Sequence, residues 1–382
     1  MDSPYVINYL ITLLLAYLYW KSPNSRYVKF AFLLQFIFIA FRAPVVGADT
    51  WDYIRYLDGE RNFYNTYDSR ELEIGFQIYR QLLMSLHGNR FIYMLINTLL
   101  TCYPVYLLIK KYSYNPPLSL ALIPIFNLYY LYFCGLRQIL GLAILFMCVI
   151  YFINDGKHRF LIYILGTALG YLFHTSIIIY SLIFAIAFFL RYTFNKRILI
   201  ASVILSAFVG VILQTLNIGQ IFNFFLSLNF NATERLQGYL ESEDMNVISS
   251  IFLTLRPSII AIIIFGFIDK EKVNHLFTSI YFIGVILENM FVSVPMVGRL
   301  IQGLTIFGVI VFTWIFSEKY YKNLKYKKYT NTILLVFFLY FSQMYVKNNL
   351  TSNIDFKLSS RMHPYQFIWE DYRNHPSIKY FD

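Results

Sequence analysis

Apolar stretches recur along the whole chain, broken by short polar connections. Read as helices, they fall at roughly 5–20, 28–42, 91–109, 118–134, 138–153, 160–173, 175–190, 198–213, 251–268, 276–293, 300–317 and 330–346, about twelve spans. Several are short for a hydrocarbon core of about 30 Å, so tilting in groups, breaks or extended ends are expected. The pattern predicts an all-α, polytopic integral membrane protein. Residues 1–346 form its transmembrane domain, with outer loops at 43–90 and 214–250, and 347–382 form an outer-face tail.

The polar connections alternate in character. One set is short and basic: Lys21/Arg26, Lys110/Lys111, Lys157/Arg159, Arg191/Lys196/Arg197, Lys270/Lys272 and the run from Lys319 to Lys328. Cytoplasmic loops carry such an excess, which puts both termini and the other loops outside. Phe160–Leu190 also reads as one long helix, but every later loop would then change sides. Splitting it at His174 keeps all basic loops inside and makes His174 the turn of an outward hairpin. Tyr5–Trp20 precedes its first lysine, the reverse of a signal peptide, and reads as a retained helix.

Composition agrees: 58% of residues are hydrophobic and 14% charged. The net charge of +11 sits in inter-helix loops rather than in a stripe, so no nucleic-acid partner is expected. Cys102, Cys134 and Cys148 are odd in number and read as free thiols. The sequence has no His-x-x-x-His, no paired cysteines at ligand spacing, no Walker glycine loop and no nucleophile elbow. No metal and no cofactor are expected.

The cations then separate by side. The inner positions hold 13 Lys and 4 Arg, the remainder 12 Arg and 3 Lys. From Arg42 to Arg299 every outer cation is arginine. Arginine stays charged, and its planar fork grips phosphate or carboxylate at two points. For Arg55, Arg61 and Arg70, ion pairing within their acidic loop is the better reading. Arg137, Arg256 and Arg299 flank apolar spans with no nearby acid, which points to function over snorkelling.

Four ordered stretches carry a resemblance: "FRAPVVGADTWDYIRYL" (41–57), "ELEIGF" (71–76), "GLRQILGLAI" (135–144) and "FHTS" (173–176). They resemble the EpsG family of Wzy-like polysaccharide polymerases, and Arg299-Leu300 fits a later Arg-Leu pair of that family. Gly141 departs from the pattern, where Ala often follows the Arg-Gln. The resemblance implies a Wzy-like or GT-C-like helical bundle in the bacterial cytoplasmic membrane, with its active site facing outward. It implies a glycosyltransferase that joins repeat units carried on undecaprenyl diphosphate. O-antigen, capsule and exopolysaccharide products all fit. Expected partners are the lipid-linked glycans and membrane lipids, with room for a flippase and a chain-length regulator.

Such chemistry needs cations at the leaving diphosphate and a base at the attacking hydroxyl. Arg137, Arg256, Arg299 and Arg42 are the candidate cations. Asp49 and His174 are the candidate bases, with a turn or helix cap and a structural histidine as their plainer readings. Glu73 fits sugar hydroxyls or an ion pair with an outer arginine. Tyr53, with Trp51 and Tyr56, fits sugar stacking or one face of an interfacial helix. Gln138 fits a sugar contact or a structural bond. Glu288 fits an ion pair with Arg256 or Arg299. The rival function is a flippase or transporter of the same lipid-linked oligosaccharide.

Overall fold

A computed structural model describes residues 3–47, 50–51, 53–54, 73–86, 89–126, 128–154, 156–191, 195–215, 247–268, 273–291, 295–317 and 365–370, with single positions between 332 and 343. Most of these residues are helical, and they include no strand beyond one isolated bridge between Arg42 and Phe367. The protein is an all-helical membrane protein. Three described helices, Arg90–Tyr112, Leu136–Ile153 and Lys196–Leu213, are long and apolar enough to cross a bilayer alone. Several shorter apolar helices accompany them, and they do not establish a count of twelve spans.

The chain divides into two compact units, one of 1–181 with 321–382 and one of 182–320. The first unit begins with α1 (Ser3–Lys21) and α2 (Ser25–Ala40). The second helix closes two residues before its expected end, which leaves Arg42 outside it. Next come α3 (Ile74–Ser85) and α4 (Arg90–Tyr112), where Asn89 caps α4 by accepting from the Phe91 and Ile92 N–H groups. The span expected at 118–134 is two short helices, α5 (Pro116–Leu122) and α6 (Leu128–Cys134). Pro124 lies between them, where it supplies no N–H and crowds the preceding turn. Gly135 separates α6 from α7 (Leu136–Ile153). Then come α8 (Arg159–Tyr171) and α9 (Ile177–Leu190), so the expected break at His174 is present. The chain passes into the second unit within α9.

A sealed polar network joins α1, α2 and α6. Asn8 and Gln35 exchange amide bonds at 3.3 Å, and the Tyr129 hydroxyl donates to Gln35 at 2.6 Å. Thr12 accepts from Gln35 at 3.0 Å. In an apolar surround, polar side chains bond across helices. At the far end of α7, Lys111 and Tyr112 both donate to Asn154. The lysine-bearing end of α4 therefore meets the end of α7, while α7 carries Arg137 at its opposite end.

The second unit contains α10 (Lys196–Thr215), α11 (Val247–Phe267), α12 (His275–Met290) and α13 (Pro295–Thr313). Asn289, fully buried, ties three of them. It donates to Ser206 at 2.9 Å and to the Val203 carbonyl, and it accepts from Ser258 at 3.0 Å. Gly210 lets α10 approach this point, because a Cβ there would lie 2.0 Å from the Asn289 carbonyl oxygen.

Candidate functional site

The four motif stretches meet in the first unit. The meeting begins at the loop after α2. Arg42 is 1% exposed and folds inward. It donates to the Ile39, Val46 and Tyr132 carbonyls and to the Thr50 hydroxyl, at 2.6 to 3.2 Å. Its guanidinium lies 4.5 Å from the Phe133 ring centroid. Burial pulls its pKa down to about 10, opposed by Tyr365, so it stays cationic at neutral pH. Thr50 donates on to the Phe133 carbonyl at 3.1 Å. Gly47, at φ +113, lies flat on the same peptide, where a Cβ would come within 2.4 Å of that carbonyl oxygen. The first motif thus grips residues 132–133, which lead through Gly135 into α7 and Arg137.

This geometry corrects the sequence reading of Arg42. It was expected on a diphosphate, but its donors are spent on carbonyls and it touches no outer surface. Tyr53 is corrected likewise. It is 3% exposed and packs 4.9 Å from the Phe76 ring, inside an apolar cluster with Leu136, Leu140 and Ile368. A sugar ring cannot stack there.

Glu73 and Arg137 are brought together from 64 positions apart, at 2.5 Å. Glu73 stands at the N-cap of α3, and its carboxylate makes no bond to that helix's own N–H groups. Arg137 stands in the first turn of α7. Their side chains are 18% and 27% exposed, so the pair is reachable. Gly75 fixes the start of α3 against the end of α8: its N–H donates to the Leu172 carbonyl at 2.8 Å, and a Cβ would sit 2.7 Å from that oxygen.

Gly141 explains its own departure from the family pattern. A Cβ there would lie 2.7 Å from Ile177 and 2.8 Å from the Gly170 carbonyl, so α7 and the α8–α9 turn touch backbone to backbone. Gln138 donates to the Tyr180 hydroxyl at 2.7 Å and is 6% exposed, which gives it the structural role. His174 opens α9. Its Nδ1 accepts from the Ser176 N–H at 3.2 Å and lies 2.8 Å from Ser176 Oγ. A nitrogen that accepts from a peptide N–H holds no proton, so neutral His174 carries its proton on Nε2. That is the state of a hydrogen-bond donor rather than of a base.

Arg256 and Arg299 belong to the second unit. Arg256 is exposed on α11 beside Pro257, and its charge acts on Glu288, the expected partner. Arg299 lies in the first turns of α13, and its side chain is outside the described residues. Asp49 also lies outside them.

Sequence reasoning missed two contributors. Arg80, on the buried face of α3, is 4% exposed. The segment Tyr365–Glu370 folds back onto the loop after α2. Ala43 donates to the Gln366 carbonyl at 2.7 Å, Ile368 donates to the Phe41 carbonyl at 2.8 Å, and Tyr365 donates to the Phe38 carbonyl at 2.7 Å. Its sequence, Tyr365 to Trp369 with only Gln366 polar, is too short an apolar run to carry a readable period.

No curated protein and no solved structure matches the chain. The model of the EpsG family matches residues 25–367, which include all four motifs and nearly the whole chain. With its motif residues gathered in one unit and its length covered, this chain belongs to the EpsG family.

Proposed function

We propose that this protein polymerises glycan repeat units carried on undecaprenyl diphosphate, at the outer face of the bacterial cytoplasmic membrane. The observation that carries the reading is the reachable Glu73–Arg137 pair, set where the first turns of α3 and α7 and the His174 turn converge. The growing glycan leaves its lipid diphosphate and joins a hydroxyl of the next lipid-linked unit. Negative charge builds on the diphosphate as the anomeric bond breaks. Arg137 meets that charge at a helix N-terminus, where the backbone dipole adds to it.

In this reading Glu73 holds Arg137 until substrate arrives. The diphosphate then replaces the carboxylate on the guanidinium fork. His174 donates from Nε2 to a substrate oxygen. Asp49 takes the hydroxyl proton, and the released Glu73 carboxylate orders acceptor hydroxyls.

The test uses purified protein in lipid with undecaprenyl-diphosphate-linked repeat units and neither metal nor nucleotide. A ladder of products that disappears in Arg137→Ala supports the reading. Movement of the lipid-linked unit across a vesicle membrane, with no ladder, would overturn it in favour of a transporter.

A further inference from the structure

We infer that Trp369 and Glu370 form a glycan-binding platform beside the Arg137 site, a pyranose subsite for the lipid-linked chain; this rests on the polymerase reading above. Trp369 is 60% exposed, yet it is not loosely held. Its ring lies parallel to Phe367, with centroids 4.6 Å apart and 7° between planes, and 5.9 Å from the Phe41 ring. Residues 367–370 close a tight turn. The Glu370 N–H donates to the Phe367 carbonyl at 3.0 Å, and the Glu370 carboxylate accepts from the Phe367 N–H at 3.2 Å. The turn is pinned by Ile368, fully buried in the apolar cluster that also holds Leu136 and Phe76. Trp369 and Arg137 each follow a residue of that one cluster, so a common core fixes both.

A fixed aromatic face next to a carboxylate suits a sugar ring. The C–H edges of a pyranose lie on the π face, and its hydroxyls donate to the carboxylate. A carboxylate has about four acceptor sites, and the Phe367 N–H takes one of them. Aromatic rings with a polar neighbour are also used to anchor proteins at lipid headgroups. Here the neighbours are acidic, Glu370 and then Asp371 in the sequence, which anionic headgroups repel. The platform also supplies what Tyr53 cannot, since that ring is buried. Trp369 lies beyond the family match, which ends at 367. A ring held this firmly is suited to telling one repeat unit from another.

The experiment follows tryptophan emission of the full-length protein in lipid nanodiscs, with Trp369→Phe subtracted to isolate the one ring. The probe is the repeat-unit oligosaccharide released from the host's own polymer. A saturable shift of the Trp369 emission is expected. Trp369→Leu, which keeps apolar bulk, should raise KM for the lipid-linked unit about tenfold with kcat within about twofold, and Trp369→Phe should stay within about threefold of wild type. No saturable shift in protein that still makes a ladder overturns the inference and leaves the polymerase reading intact. Quenching by brominated phospholipid with indifference to the oligosaccharide also overturns it and makes the ring a membrane anchor. A shift in protein that makes no ladder would sustain the glycan site while removing the polymerase reading.

Discussion

Arg42 and Arg137 meet where α6 gives way to α7, from opposite surroundings: Arg42 donates to the backbone there, and Arg137 extends from it to Glu73. Arg42 is sealed, and its fork is filled by three carbonyls and a hydroxyl. Arg137 is partly exposed and holds one carboxylate that an anion could replace. One arginine builds the shelf on which the other stands. The same charge is thus consumed by the fold in one place and left reachable in the other.

The sharpest way to break this contrast is to remove each in turn. Arg42→Ala strands the Ile39, Val46 and Tyr132 carbonyls, and loss of one member of a buried charged network costs about 3–5 kcal/mol. Little folded protein should be recovered in detergent, as read by size exclusion and thermal melting. Arg137→Ala should melt like wild type and lose polymer formation by at least about 100-fold. Arg137→Lys should fall nearly as far, since an ammonium cannot grip at two points. Full activity in the lysine variant would remove the bidentate grip from the mechanism.

Smaller effects sharpen the picture. Gly141→Val pushes α7 off Gly170 and Ile177, at about 1–3 kcal/mol of overpacking. It should lower activity more than Gly141→Ala does, as the His174 turn moves away from Arg137. Glu73→Gln is the mildest. A partly exposed pair contributes about 1 kcal/mol or less, so melting should barely move. Undecaprenyl diphosphate, titrated by microscale thermophoresis, should bind within about fivefold of wild type and on the tighter side, because its competitor is gone. Weaker binding would mean that Glu73 orders the cation rather than guarding it.

Much of this was legible from residue order. The four motifs announced their family, the His174 break followed from charge sidedness, and Glu73 was weighed as an arginine partner. Gly141 read as a defect in the pattern, because a close backbone approach leaves no mark on hydropathy. Pro124 carried its message openly, but an apolar run hides a break when length alone is counted. Arg42 could not be told from Arg137, since both flank apolar spans and only tertiary burial separates them. The pairing of Tyr365 with Phe38 joins positions 327 apart through one hydrogen bond and a ring stack. No periodicity extends far enough there to reveal it.

That pairing also sets an order of events. The unit that carries Glu73, Arg137 and His174 is discontinuous, with 1–181 completed by residues from beyond 320. During synthesis the N-terminal helices emerge first, but the loop braced by Arg42 gains its last partner segment only when Ile368 has been made. The unit that carries the motifs is therefore finished only after the whole intervening unit has been made. A ribosome-bound chain stalled before that point would hold every motif residue and still lack the contact that sets their shelf.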